Sequence, residues 1–170
     1  KHSQAAAPNG YWALSRSIRQ IPGSAADSFI SFDINPKSLK LFTVELGVDK
    51  KLMFFYMENG NFYYYGGPAS PYTRIGTATY QLNRFINVKL QWNGIGVDVF
   101  VTDGGTTTKI NGNTPIPYFE AAPGGPKGFH FTTSRRTDMG DGNIVVANVN
   151  YPGYESLPVQ TSIRLSPTSA

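Results

Sequence analysis

The stretch Phe85-Ile86-Asn87-Val88-Lys89-Leu90-Gln91-Trp92, with Gly96-Val97-Asp98-Val99-Phe100-Val101 after the Asn93-Gly94 break, decides the fold class. Successive side chains of an extended chain point to opposite faces. Ile86, Val88, Leu90 and Trp92 therefore share one face, and Asn87, Lys89 and Gln91 share the other. The second segment repeats the pattern, with Val97, Val99 and Val101 on its apolar side. A slip of one residue would invert the whole strand, so the alternation assigns each residue a side.

Working outward, similar signals recur every eight to twelve residues. Strands are predicted at 29–34, 39–46, 52–58, 61–65, 73–80, 85–92, 97–102, 109–111, 128–133, 143–151 and 159–165. Asn59-Gly60 between two of them is a hairpin signal, because a type I′ turn needs positive φ at both central residues. Inward-facing sets are Ile30, Phe32 and Ile34; Phe42, Val44 and Leu46; and Phe129 and Phe131. No segment holds a 3.6-residue apolar period over ten positions; residues 119–122 offer at most one helical turn before Pro123. Many strands without crossover helices pair antiparallel, and so many strands pack as two sheets. The expected fold is all-β, an antiparallel two-sheet β-sandwich.

The chain of 170 residues is one domain in size. We expect a tail or linker at 1–10, one sandwich domain at 11–165 and a tail at 166–170. Linker-like ends and a first residue Lys1 suggest a mature form or a piece of a longer polypeptide. Charged residues make up only 15% and aromatics 14%, a balance suited to strands and tight turns. With no cysteine there is no disulfide scaffold, thiolate metal site or cysteine nucleophile. Net charge is +4, but only Lys50-Lys51 and Arg135-Arg136 are adjacent, so the basic run of a nucleic-acid binder is missing. No apolar window reaches the roughly 18 residues of a membrane span, and no membrane insertion is expected.

Three stretches carry a family resemblance. Ser28-Phe29-Ile30-Ser31-Phe32-Asp33-Ile34 looks like an opening strand. The segments 85–92 and 96–101 look like paired central strands. Gly128-Phe129-His130-Phe131 with 141–149 looks like the closing strands. In this order they resemble the concanavalin A-like lectin/glucanase superfamily, the jelly roll shared with laminin G-like modules. The resemblance implies architecture more than activity. It also implies a carbohydrate-binding, lectin-like role and a place outside the cell, on its surface or on a virion.

The candidate sugar-binding residues are Asp33, Glu45, Tyr63, Tyr65, Arg74, Asn87, Lys89, Gln91 and His130, with Thr43 and Thr132 beside them. They are outward positions, some of which would share one sheet face as a shallow groove. Polar groups pair with sugar hydroxyls, and a tyrosine such as Tyr63 or Tyr65 stacks on the sugar ring. Arg74, Arg135 and Arg136 would favour an acidic glycan. His130 is expected at the surface or in the groove. No cofactor is expected; Asp138, Asp141 and Asn143 are weak oxygen ligands for calcium, or simply a turn. The alternative role is a structural or protein-interaction domain, such as a viral spike, coat protrusion or adhesin module, contacting protein partners or its own copies. A third reading is a glycan-cleaving enzyme using Glu45 with Glu58 or Asp33, although no acidic triplet on one strand is present.

Overall fold

The computed structural model describes residues 13–20, 28–37, 39, 41–47, 52–65, 72–122, 124–135, 144–152 and 163–164. For 13–20, 132–135 and 163–164 it describes the backbone alone. The strands in chain order are β1 Ala13–Gln20, β2 Ser28–Pro36, β3 Phe42–Leu46, β4 Met53–Glu58 and β5 Asn61–Tyr65. They continue as β6 Thr73–Thr79, β7 Ile86–Asn93, β8 Gly96–Asp103, β9 Thr106–Lys109 and β10 Ile116–Pro117. The last are β11 Gly128–Arg135, β12 Ile144–Asn150 and β13 Ile163–Arg164.

Two antiparallel sheets result. The first has the order β1-β11-β3-β4-β5-β6. The second has the order β10-β8-β7-β2-β12-β13, with β9 pairing β8 beyond this path. The expected alternation is realised: Ile30, Phe32, Ile34, Val88, Leu90 and Val99 of the second sheet are fully buried, as are Val44, Leu46, Phe55 and Phe129 of the first. The two sheets lock through aromatic contacts. Phe32 of β2 meets Phe131 of β11 edge-on at 5.0 Å and Phe42 of β3 at 6.0 Å. Such pairs add about 0.5–1.5 kcal/mol each beyond the area they bury.

Turn chemistry sets the hairpins. Asn59 and Gly60 have φ of 51° and 77°, the type I′ turn that the Asn-Gly pair predicts, and Glu58 pairs with Asn61 across it. Between β7 and β8 the Asn93 side-chain oxygen instead accepts from the Ile95 and Gly96 amides at 2.9 and 3.1 Å.

Several expectations shift. Residues 119–122 form no helical turn; the Phe119 amide donates to the Leu52 carbonyl at 2.9 Å and draws that loop onto the start of β4. The strand expected at 109–111 lies earlier, as β9, because the turn Gly104-Gly105 folds Thr106–Lys109 back on β8. The strand β1 shows too little alternation to be predicted, and it pairs all along β11. The strand expected at 159–165 lies outside the described residues except for β13.

Candidate sugar-binding face

Strand register builds two exterior faces, and they differ in character. On the first sheet, cross-strand partners line up as Ile18, His130, Glu45, Phe54 and Tyr65. The next row on that face is Arg16, Thr132, Thr43, Tyr56, Tyr63 and Arg74. Alternation puts Glu45, Phe54, Tyr56, Tyr63 and Tyr65 opposite the buried Val44, Phe55 and Phe62, hence away from the inter-sheet core.

The centre of this face is a continuous band of rings. Phe54 lies parallel to Tyr56, with centroids 5.9 Å apart and planes 9° apart. Phe119 arrives from the loop after β10 and packs against Phe54 at 5.5 Å and edge-on to Tyr65 at 5.2 Å. At the other end, Tyr72 stacks on Tyr63 at 4.6 Å and tilts against Tyr56 at 5.2 Å. Tyr72 keeps 43% of its surface exposed, whereas the other rings of the band are half-buried.

Polar groups fasten and border the band. The Tyr72 hydroxyl donates to Glu58 Oε2 at 2.6 Å. Burial first, then this bond and the Glu58 charge, push the Tyr72 phenol far above its ordinary range. Burial, with the nearby Tyr65 and Glu45, raises Tyr56 to about 12. Arg74 is exposed at the β6 edge beside Tyr63. Glu45 and His130 face each other with Oε2 and Nδ1 3.6 Å apart. His130, expected at the surface, is in fact 1% exposed although alternation turns it away from the inter-sheet core, because alternation fixes the side of the sheet and not what packs over that side. Thr43 and Glu45 are nearly as deeply buried.

The opposite exterior holds Asp33, Asn87, Lys89 and Gln91, so the candidate residues do not form one groove. Asp33, Asn87, Lys89 and Gln91 belong to β2 and β7, while Glu45, Tyr63, Tyr65, Arg74 and His130 belong to the first sheet. On the second sheet the polar groups mostly serve each other. Asp33 accepts from Asn87 at 2.8 Å and from Asn148 at 2.6 Å. Asn148 takes a left-handed φ of 49° at a bulge in β12, which brings its amide within reach. The Lys89 ammonium lies 4.8 Å from the Phe29 ring centre and 5.8 Å from that of Phe100, and Asp98 binds Lys109 at 3.0 Å. Gln91 is exposed.

The carboxylate pairings expected for hydrolysis are not assembled. Asp33 and Glu45 stand on opposite exteriors, whose sheets pack about 10 Å apart. Glu45 pairs with Phe54, and Glu58 lies four residues farther along β4, about 13 Å at strand rise. Glycoside hydrolysis needs carboxyls roughly 5–9.5 Å apart. Asp138, Asp141, Asn143 and Arg136 lie outside the described residues, and no side chain is described for Arg135 or Thr132. Among the described residues no three His, Asp or Glu side chains gather as a metal site. No helix among them is long and apolar enough to cross a membrane.

The sequence pattern points to the ring-rich hairpin but not to the contributions of Tyr72 and Phe119. Neither lies in an alternating run; Tyr72 follows Pro71, and Phe119 sits two residues past Pro117, positions that read as turn.

No protein-family model matches the chain, and no curated protein sequence matches it. Among solved structures, galectin LEC-6 of Caenorhabditis elegans superposes with a TM-score of 0.54 at 15% identity, over 80% of this chain and 91% of that one. A sialidase superposes with a TM-score of 0.52 at 14% identity, over 84% of this chain; the match spans 15% of the sialidase. At such identities the likeness is one of fold. The chain is an antiparallel two-sheet β-sandwich and shares that fold with galectin LEC-6.

Proposed function

We propose that this domain is a non-catalytic, lectin-like module that binds glycan on the exterior of the β1-β11-β3-β4-β5-β6 sheet. The observation that carries the reading is the ring band closed by the Tyr63–Tyr72 stack, with Arg74 and Glu58 at its border. A sugar ring has an apolar face and a hydroxyl-bearing rim. Phenol rings match the first, and carboxylate, guanidinium and phenol hydroxyls match the second. The fold likeness to a galectin supports the reading without specifying a ligand. The proposed setting is extracellular, at a cell surface or on a virion, with a glycan or glycoprotein as partner.

The test is a glycan array followed by titration calorimetry on each hit, with wild type and Tyr63→Ala. Binding that Tyr63→Ala weakens is expected. An array without hits, or hits indifferent to Tyr63, would overturn the assignment.

A second reading, a protein-interaction domain, is favoured by one end of the sandwich. The Asn59 amide donates to the Leu39 carbonyl at 2.9 Å, and that of Asn83 to the Pro36 carbonyl at 2.8 Å. These ties bring the loops bearing Leu39, Leu82 and Phe85 to that end, with 46%, 36% and 53% of those residues exposed. Light scattering at rising concentration tests self-association there. A monomer at all concentrations, for both wild type and Phe85→Ser, removes that form of the reading.

A further inference from the structure

We propose that Arg74 makes the ring-bearing face selective for glycans that carry a carboxylate. This rests on the glycan reading above and adds a ligand class to it. The placement follows from β6. Ile75 is 2% exposed and points into the core, so Arg74 points out. Register with Tyr63 sets the two side chains next to each other on the outer face, where directly opposed Cβ atoms are about 5 Å apart. The Arg74 side chain therefore starts beside Tyr63, and its guanidinium reaches along β6 to the Thr77 carbonyl, from which a long, flexible stem lets it swing to a ligand on the stack.

Its charge is uncommitted. The hydrogen bond of Arg74 is a long one, 3.5 Å to the Thr77 carbonyl. Among the described residues, no carboxylate lies within ion-pairing distance of it. The two acids on this face are occupied elsewhere: Glu58 accepts the Tyr72 hydroxyl, and Glu45 is buried opposite His130. Arg84, by contrast, is tied to Asp103 at 2.7 Å, and Lys109 to Asp98 at 3.0 Å.

A planar fork of N–H donors fits a carboxylate with two parallel hydrogen bonds. Sialic and uronic acids carry theirs directly on a ring carbon. A sugar ring lying on Tyr72 would then present its acid to the side on which Arg74 stands. The shared chemistry is thus a ring carboxylate beside a flat sugar face.

The experiment is calorimetric titration of the whole chain with four probes: 3′-sialyllactose, a hyaluronan tetrasaccharide, lactose and N-acetylchitotetraose. At least one acidic probe is expected to bind about tenfold or more tightly than its neutral counterpart at low salt, as a charge-assisted bond provides. Which acidic probe binds decides between sialic and uronic acid. Arg74→Gln is expected to remove the preference, lowering affinity for the acidic probe about tenfold and for its neutral counterpart by clearly less. Arg74→Lys is expected to keep part of it, and 0.5 M NaCl to shrink it, with on the order of a 4 Å screening length. Equal binding of acidic and neutral probes, or a preference that survives Arg74→Gln, overturns the role of Arg74 but leaves the glycan site standing. If none of the four probes binds and the array is also blank, the glycan reading itself falls.

Discussion

The ring of Tyr72 lies over that of Tyr63 with centroids 4.6 Å apart and planes inclined by 13°. Tyr63 comes from a regular strand and Tyr72 from the residue just before β6, so the stack ties the entry of an edge strand to the exterior of the sheet. The Glu58 carboxylate holds the outer phenol from across the β4–β5 hairpin. One small assembly therefore shapes the exposed end of the ring band.

Removing the lower ring should affect recognition more than folding. Tyr63→Ala is expected to weaken glycan binding about five- to tenfold, from roughly 1–1.5 kcal/mol of lost ring contact. Its circular dichroism should match wild type. Calorimetric titration checks this; unchanged affinity would contradict a role for the stack.

The opposite exterior provides the control. Lys89 is held by Phe29 and Phe100, and Asn87 by Asp33, far from the ring band. Lys89→Ala and Asn87→Ala are expected to leave glycan affinity within about twofold, since sites without shared partners act independently. A large loss in either variant would move the site to the second sheet.

Alkaline pH should unfold the domain through its phenols. Tyr56 and Tyr80 are each raised to about 12, both chiefly by burial, and Tyr72 is raised further. Each raised group binds its proton more tightly in the folded state, so the unfolded chain releases protons first. Their contribution is complete below about pH 10 and declines as pH rises from there towards 12 and beyond. Melting temperatures measured between pH 8 and 12 should fall over that upper window. Absorbance at 295 nm should show delayed phenolate formation, and Glu58→Gln should advance the ionisation of Tyr72.

Core and backbone substitutions test the fold. Phe32→Ala empties the junction with Phe42 and Phe131 and is expected to cost about 3–5 kcal/mol in urea unfolding. Gly76 has φ of 55°, and an added Cβ would sit 2.4 Å from the Ile110 carbonyl oxygen. Gly105, at φ 84°, has open space around that position. Gly76→Ala should therefore destabilise well beyond the roughly 1 kcal/mol expected of Gly105→Ala, for which only the left-handed backbone counts. Equal costs would mean that β6 can shift away from Ile110.

Much of this arrangement is legible in the order of the residues. Period-two alternation puts Ile30, Phe32 and Ile34 inside and Asp33 on the other side, and does the same along β7 and β8, because a pleated strand allows two sides only. Asn59-Gly60 announces its turn because few other residues accept positive φ at both central positions. The tertiary structure alone decides which strands share a sheet. Alternation distinguishes core from exterior but not one exterior from the other, since pairing joins segments as distant as β1 with β11 and β2 with β12. That pairing sends Asp33, Asn87, Lys89 and Gln91 to one side and Glu45, Tyr63, Tyr65 and Arg74 to the other, and tertiary packing leaves His130 and Glu45 buried on that second side.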